Sequence, residues 1–153
     1  MPRHEHAEHT FTAAPESVAA ARSFTTRTLE SWDLTRRADD IRLCVSELAA
    51  NAVEHGTRRT AEGQGAFLVR IDADDTHIRL EVEDDDPLGT PRLNRAQDED
   101  TGGRGMMIVA SLATAWGFES CAFAGKAVWS EFLTGPTADR QDTHRCADHC
   151  HRR

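Results

Sequence analysis

No apolar run in the sequence approaches the about 20 residues that a membrane-spanning helix requires. The opening ten residues, MPRHEHAEHT, are polar and rich in histidine, where a secretory signal would be apolar. Both absences point to a cytoplasmic protein with no membrane association. Positive charge is scarce as well: 18 lysines and arginines face 26 aspartates and glutamates, a net charge of -8. Uniform affinity for nucleic-acid backbones needs a basic surface and is not expected here, whereas a basic pocket or a basic protein partner is compatible with this balance. Of the four cysteines, Cys44 and Cys121 lie in apolar segments and read as buried thiols, while Cys146 and Cys150 lie in a polar tail. Reduced thiols are expected, and no disulfide framework is needed. Neither an internal repeat nor a heptad pattern is present.

What is there has globular composition, with 39% hydrophobic and 29% charged residues over 153 positions. A single domain of that size buries about two-thirds of the surface of its unfolded chain. Residues 1–8 read as a disordered leader and 9–13 as a short edge strand. Pro15 suits the first turn of a helix continuing to Trp32, with Val18, Ala21, Thr25 and Leu29 at helical spacing. A second helix starts near Thr35 or Asp39 and runs to His55, with an apolar stripe of Ile41, Cys44, Val45, Leu48 and Ala52 and Gly56 as its stop. Alternation predicts strands at 66–73 and 77–84, joined by a tight turn at Asp74, Asp75 and Thr76. An irregular acidic stretch follows, then a helix over 105–116 and strands at 117–123 and 126–133. From Gly135 the chain loses apolar residues and reads as a disordered tail containing histidine and cysteine, 135–153, which leaves 9–134 as the folded domain. His144, Cys146, His149, Cys150 and His151 crowd that tail without a clean zinc-site spacing, and adventitious metal affinity is the preferred reading. This order of elements is an α+β sandwich, a mixed, mostly antiparallel sheet with helices on one face.

Three segments carry candidate chemistry. On the second helix, Glu47, Asn51 and His55 recur at every fourth residue, along a line about 80° from the centre of the apolar stripe. Such a line can wall a pocket, although a solvated helix face has the same composition. Asn51 offers a hard amide oxygen suited to magnesium, Glu47 a carboxylate able to act as a base, and His55 a donor to phosphate. Asp84 continues the inward alternation of Leu80 and Val82 to the strand end, where it can accept from an exocyclic amine such as adenine N6 or simply initiate a turn. Gly102, Gly103 and Gly105 crowd the start of an apolar helix, where backbone N–H groups are free for an anion, and Arg104 adds a fork suited to phosphate.

Together, VSELAANAVEHG at 45–56, VEDDDPLGTP at 82–91, GGRGMMIVASLATAWG at 102–117 and GKAVWSEF at 125–132 resemble the gyrase, heat-shock 90, histidine kinase and MutL (GHKL) superfamily of ATPases, the Bergerat fold. Within it the chain is similar to the small bacterial anti-sigma factor serine kinases, over roughly residues 9 to 134. The resemblance implies a two-layer sandwich that binds ATP with Mg2+ and transfers phosphate to a serine of a small antagonist protein while sequestering a sigma factor, with a homodimer as the implied assembly. It implies that Asn51 binds magnesium, Glu47 activates the attacking hydroxyl, and His55 lies near the phosphates. By the same resemblance Asp84 reads adenine, and Gly103 and Gly105, with Arg104 between them, lie against the triphosphate. The sequence departs from the superfamily after Asp84: where Asp-x-Gly-x-Gly is usual, Asp85, Asp86, Pro87 and Leu88 follow, then Gly89. That departure keeps open a second reading, a nucleotide-gated or nucleotide-free partner-binding module without kinase activity.

Overall fold

The first strand already differs from expectation. In the computed structural model, which describes residues 2–56, 65–84, 101–120 and 125–134, β1 spans His4–Thr12 and pairs antiparallel with β2, Ala66–Asp74. The leader expected to be disordered over 1–8 is therefore strand from His4 onward. Its histidines and glutamates look like solvated leader because both faces are polar, but the partner strand supplies matching charges. His6 Nδ1 lies 2.6 Å from Asp72 Oδ1, and Arg70 Nε donates to Glu8 Oε1 at 3.2 Å. On the other face, the Phe11 ring stacks on Phe67 at 5.5 Å, and His9 meets Phe24 of the first helix at 5.7 Å.

The hydrogen bond to Asp72, aided by Glu8, holds His6 above its ordinary pKa of 6.5. A raised folded-state pKa means that the native chain binds this proton more tightly than the unfolded chain. The stabilisation is complete below the ordinary value and disappears as pH rises through the raised one. Thermal unfolding of the native chain and a His6→Gln variant, compared from about pH 5 to pH 8, is expected to show a small native advantage in acid that vanishes in alkali. A difference that grows with pH would contradict the assigned hydrogen bond.

The other strands are β3, His77–Asp84, β4, Ala115–Ser120, and β5, Lys126–Leu133, and the sheet order is β1-β2-β3-β5-β4. Each of these pairings is antiparallel. The β2–β3 turn is held by Asp74 Oδ1, which accepts from the backbone N–H of Thr76 at 2.8 Å and of His77 at 2.7 Å. These donors pull the Asp74 carboxyl below its usual range.

Among the described residues three α-helices cover one face: α1, Glu16–Ser31, α2, Ala38–Asn51, and α3, Thr101–Leu112. The predicted α2 stripe of Ile41, Cys44, Val45, Leu48 and Ala52 is fully buried, in one core with Val69, Ile71, Leu80, Val82 and Phe132 of the sheet. Burial pushes the Cys44 thiol up to about 12, so it packs as an inert apolar group. The opposite face of the sheet carries charge instead. Arg70 pairs with Glu8 and Glu81, and Arg79 pairs with Glu131 and lies 4.6 Å over the Trp129 ring. Gly117 permits this packing, because a Cβ there would meet the Trp129 ring at 2.8 Å.

The expected boundary between the last helix and the last hairpin moves. The helix ends at Leu112 rather than Trp116, and β4 starts at Ala115 rather than at Gly117. The run ATAW is apolar enough for either state, and pairing decides it. Thr114 N–H donates to Glu131 O at 2.7 Å, and Trp116 sits opposite Ser130. The expected strand residues beyond Ser120, with Cys121, lie outside the described residues, as does the tail from 135.

Candidate functional site

Helix α2 begins with Asp39 and Asp40 in its first turn, where carboxylates complement free N–H groups. Its apolar stripe locks it against the sheet and so fixes the direction of every other side chain. Glu47 and Asn51 are both half-buried at the margin of that stripe. They are one helical turn apart, a rise of about 6 Å.

Immediately after Asn51 the α-helix gives way to a π-helical turn, Ala52–Gly56, which packs against β3. A turn closed by i→i+5 bonds rotates less per residue than an α-turn. The backbone at His55 therefore departs from the 100° step that continues the Glu47–Asn51 repeat. His55 lies in the widened turn, and its side chain is outside the described residues. Widened turns of this kind occur frequently at functional sites.

Asp84 ends β3 on the helix-covered side of the sheet, as its alternation predicts, and is 7% exposed. It is not solvated as a simple turn initiator would be. Lys126 Nζ of β5 donates to its Oδ2 at 2.9 Å, with the two side chains 12% and 5% exposed respectively. Sequence reasoning assigned Lys126 no role. The available signal was its singularity: it is the only lysine of the chain, every other strong cation being arginine.

The glycine run also shifts in register. Gly102, Gly103, Arg104 and Gly105 form the first turn of α3 instead of a loop before it. Its backbone N–H groups are those that an α-helix leaves without intrahelical partners. The side chains of 101–105 and the acids Asp85 and Asp86 lie outside the described residues.

An antiparallel sheet covered on one face by helices, with a buried strand-end carboxylate and a polar helix line broken by a π-turn, makes an α+β sandwich with a candidate ligand site on its covered side. A family model for the histidine kinase-like ATPase domain matches residues 11–129, and the chain belongs to that family. No curated protein matches the chain. Domains of this GHKL type bind ATP, usually with Mg2+, and membership supports an ATP-binding regulatory function.

The donor set fits such a ligand. A buried carboxylate suits a base amine, which presents N–H donors to a site with little access to water. Among the described residues no cluster of three or more His, Cys, Asp or Glu could hold a metal. Mg2+ at nucleotides usually keeps phosphate oxygens and water with one or two protein oxygens, and the Asn51 amide oxygen is a candidate for such a ligand. Among the described residues, no helix is long and apolar enough to cross a membrane.

Proposed function

We propose that the chain is an ATP-dependent protein serine kinase of the anti-sigma factor type, which binds a sigma factor and phosphorylates a serine on a small antagonist protein. The observation that carries this reading is the half-buried Glu47–Asn51 line, ended by a π-turn that packs against the strand carrying buried Asp84. Asp84 accepts from the exocyclic amine of adenine. Asn51 holds Mg2+ through its amide oxygen. Gly103 and Gly105 offer backbone N–H groups to the phosphates, and His55 and Arg104 offer side-chain donors. ATP with Mg2+ supplies the transferable phosphoryl group. Glu47 takes the proton of the serine hydroxyl and orients that oxygen, so positioning and electrostatics provide most of the rate.

A chain without kinase activity that uses the same pocket to gate partner binding is favoured by one feature, the acids that follow Asp84 in place of glycines. Phosphate transfer separates the two readings. γ-Labelled ATP is expected to mark a serine of the antagonist protein, whereas ATP-dependent partner binding with no label supports the gating module. Calorimetry with ATP and magnesium precedes both, and no heat from the native chain would sink them together. An Asn51→Ala chain is expected to bind ATP about tenfold or more weakly in magnesium and to show equal affinity with and without the metal. Retained metal dependence would remove Asn51 from this role.

A further inference from the structure

The register of the sheet places a second polar group beside Asp84. Phe11 pairs with Phe67, Phe67 with Asp84, and Asp84 with Lys126, so the four form one row across β1, β2, β3 and β5. Directly opposed residues project to the same face. The row therefore passes from two stacked aromatic rings to a buried carboxylate and then to a largely buried ammonium 2.9 Å from it. Lysine is rarely buried without a specific partner. An arginine fork would engage a carboxylate through two parallel bonds, whereas the compact lysine ammonium binds one oxygen. An ammonium carries three donors, of which the Asp84 bond uses one, and a carboxylate has about four lone-pair sites. Shared contact with a ligand edge is chemically open to both groups.

We propose that Lys126 is a specificity-determining residue of the nucleotide site, forming with Asp84 an acceptor–donor pair that reads the 6-amino group and N1 of adenine. Asp84 accepts from the amino hydrogen, and Lys126 donates to N1. This inference rests on the ATP-binding reading above. A 6-oxopurine held in the same orientation presents an oxygen to the carboxylate and an N–H to the ammonium, so both contacts become repulsive. The pair thus selects adenine over hypoxanthine through charge as well as shape.

The test compares ATP with inosine triphosphate, both with magnesium, on the native chain and a Lys126→Met variant. The native chain is expected to prefer ATP by about a hundredfold, and the variant to lose about tenfold of that preference, mainly through weaker ATP binding. Because removing Lys126 takes the ammonium away from a buried carboxylate and can unfold the chain, a second measurement uses the native protein. Lys126 is the only side-chain amine, so acetylation followed by peptide mass analysis reports on it separately from the N-terminus. ATP with magnesium is expected to slow acetylation of Lys126 several-fold, and inorganic tripolyphosphate is not. No ATP binding by the native chain overturns the functional reading and this inference with it. ATP binding that leaves Lys126 acetylation unslowed, or an unchanged preference for ATP in a folded variant, overturns the inference alone. Tighter ATP binding by Lys126→Met also overturns it, because the lysine would then compete with the base for Asp84.

Discussion

An Asp84→Ala chain is expected to lose both ATP binding and about 3–5 kcal/mol of stability, the cost of breaking a buried ion pair from one side. The side chains of Asp84 and Lys126 are 5% and 12% exposed, so removal of the carboxylate strands an ammonium that water reaches poorly. A double variant, Asp84→Ala with Lys126→Met, removes both charges and is expected to recover much of the stability but none of the binding. That split separates the structural contribution of the pair from its contact with ligand, and the coupling comes directly from the double-mutant cycle. Urea unfolding and calorimetry with ATP supply the two readouts. If Asp84→Ala costs less than about 1 kcal/mol, the pair is solvated like an ordinary surface bridge, and Asp84 is not the buried group described above.

Truncating Phe132 to alanine is expected to cost a similar amount, about 3–5 kcal/mol, with no direct effect on ligand contacts. Phe132 is fully buried, pairs with Ile78 across β3 and β5, and lies 5.6 Å from the Arg37 guanidinium. Its removal forfeits both the transfer energy of the ring and the packing around the space it leaves. On the surface, Leu43 is 44% exposed on α2, and Leu43→Ala is expected to change stability by no more than about 0.5 kcal/mol. Urea midpoints with unchanged slopes test both substitutions. Equal effects at the two positions would mean that the helices do not cover the sheet through the face assigned to them.

Local periodicity made several features legible. The stripe from Ile41 to Ala52 marks the buried face of α2, and the positions of Glu47 and Asn51 beside it follow from the 3.6-residue repeat. Strict alternation in 77–84 placed Asp84 inward with Leu80 and Val82. These signals survive because each depends on residues within one element. The start of β1 was hidden because its polar residues acquire partners across the strand pair, His6 with Asp72 and Glu8 with Arg70, and no local pattern announces them. The limits of α3 and β4 were hidden because ATAW satisfies either element until β5 offers its carbonyls. The π-turn after Asn51 carries no period that a 100° repeat can detect.

By itself, then, the order of residues determined the types of α1, α2, β2 and β3, their apolar faces and the inward direction of Asp84, all through side-chain periodicity and turn chemistry. Only the tertiary structure decided that Lys126, 42 positions further along, lies directly opposite Asp84. The physical reason is that cross-strand register depends on how every strand buries its apolar residues at once, and no single segment encodes that sum.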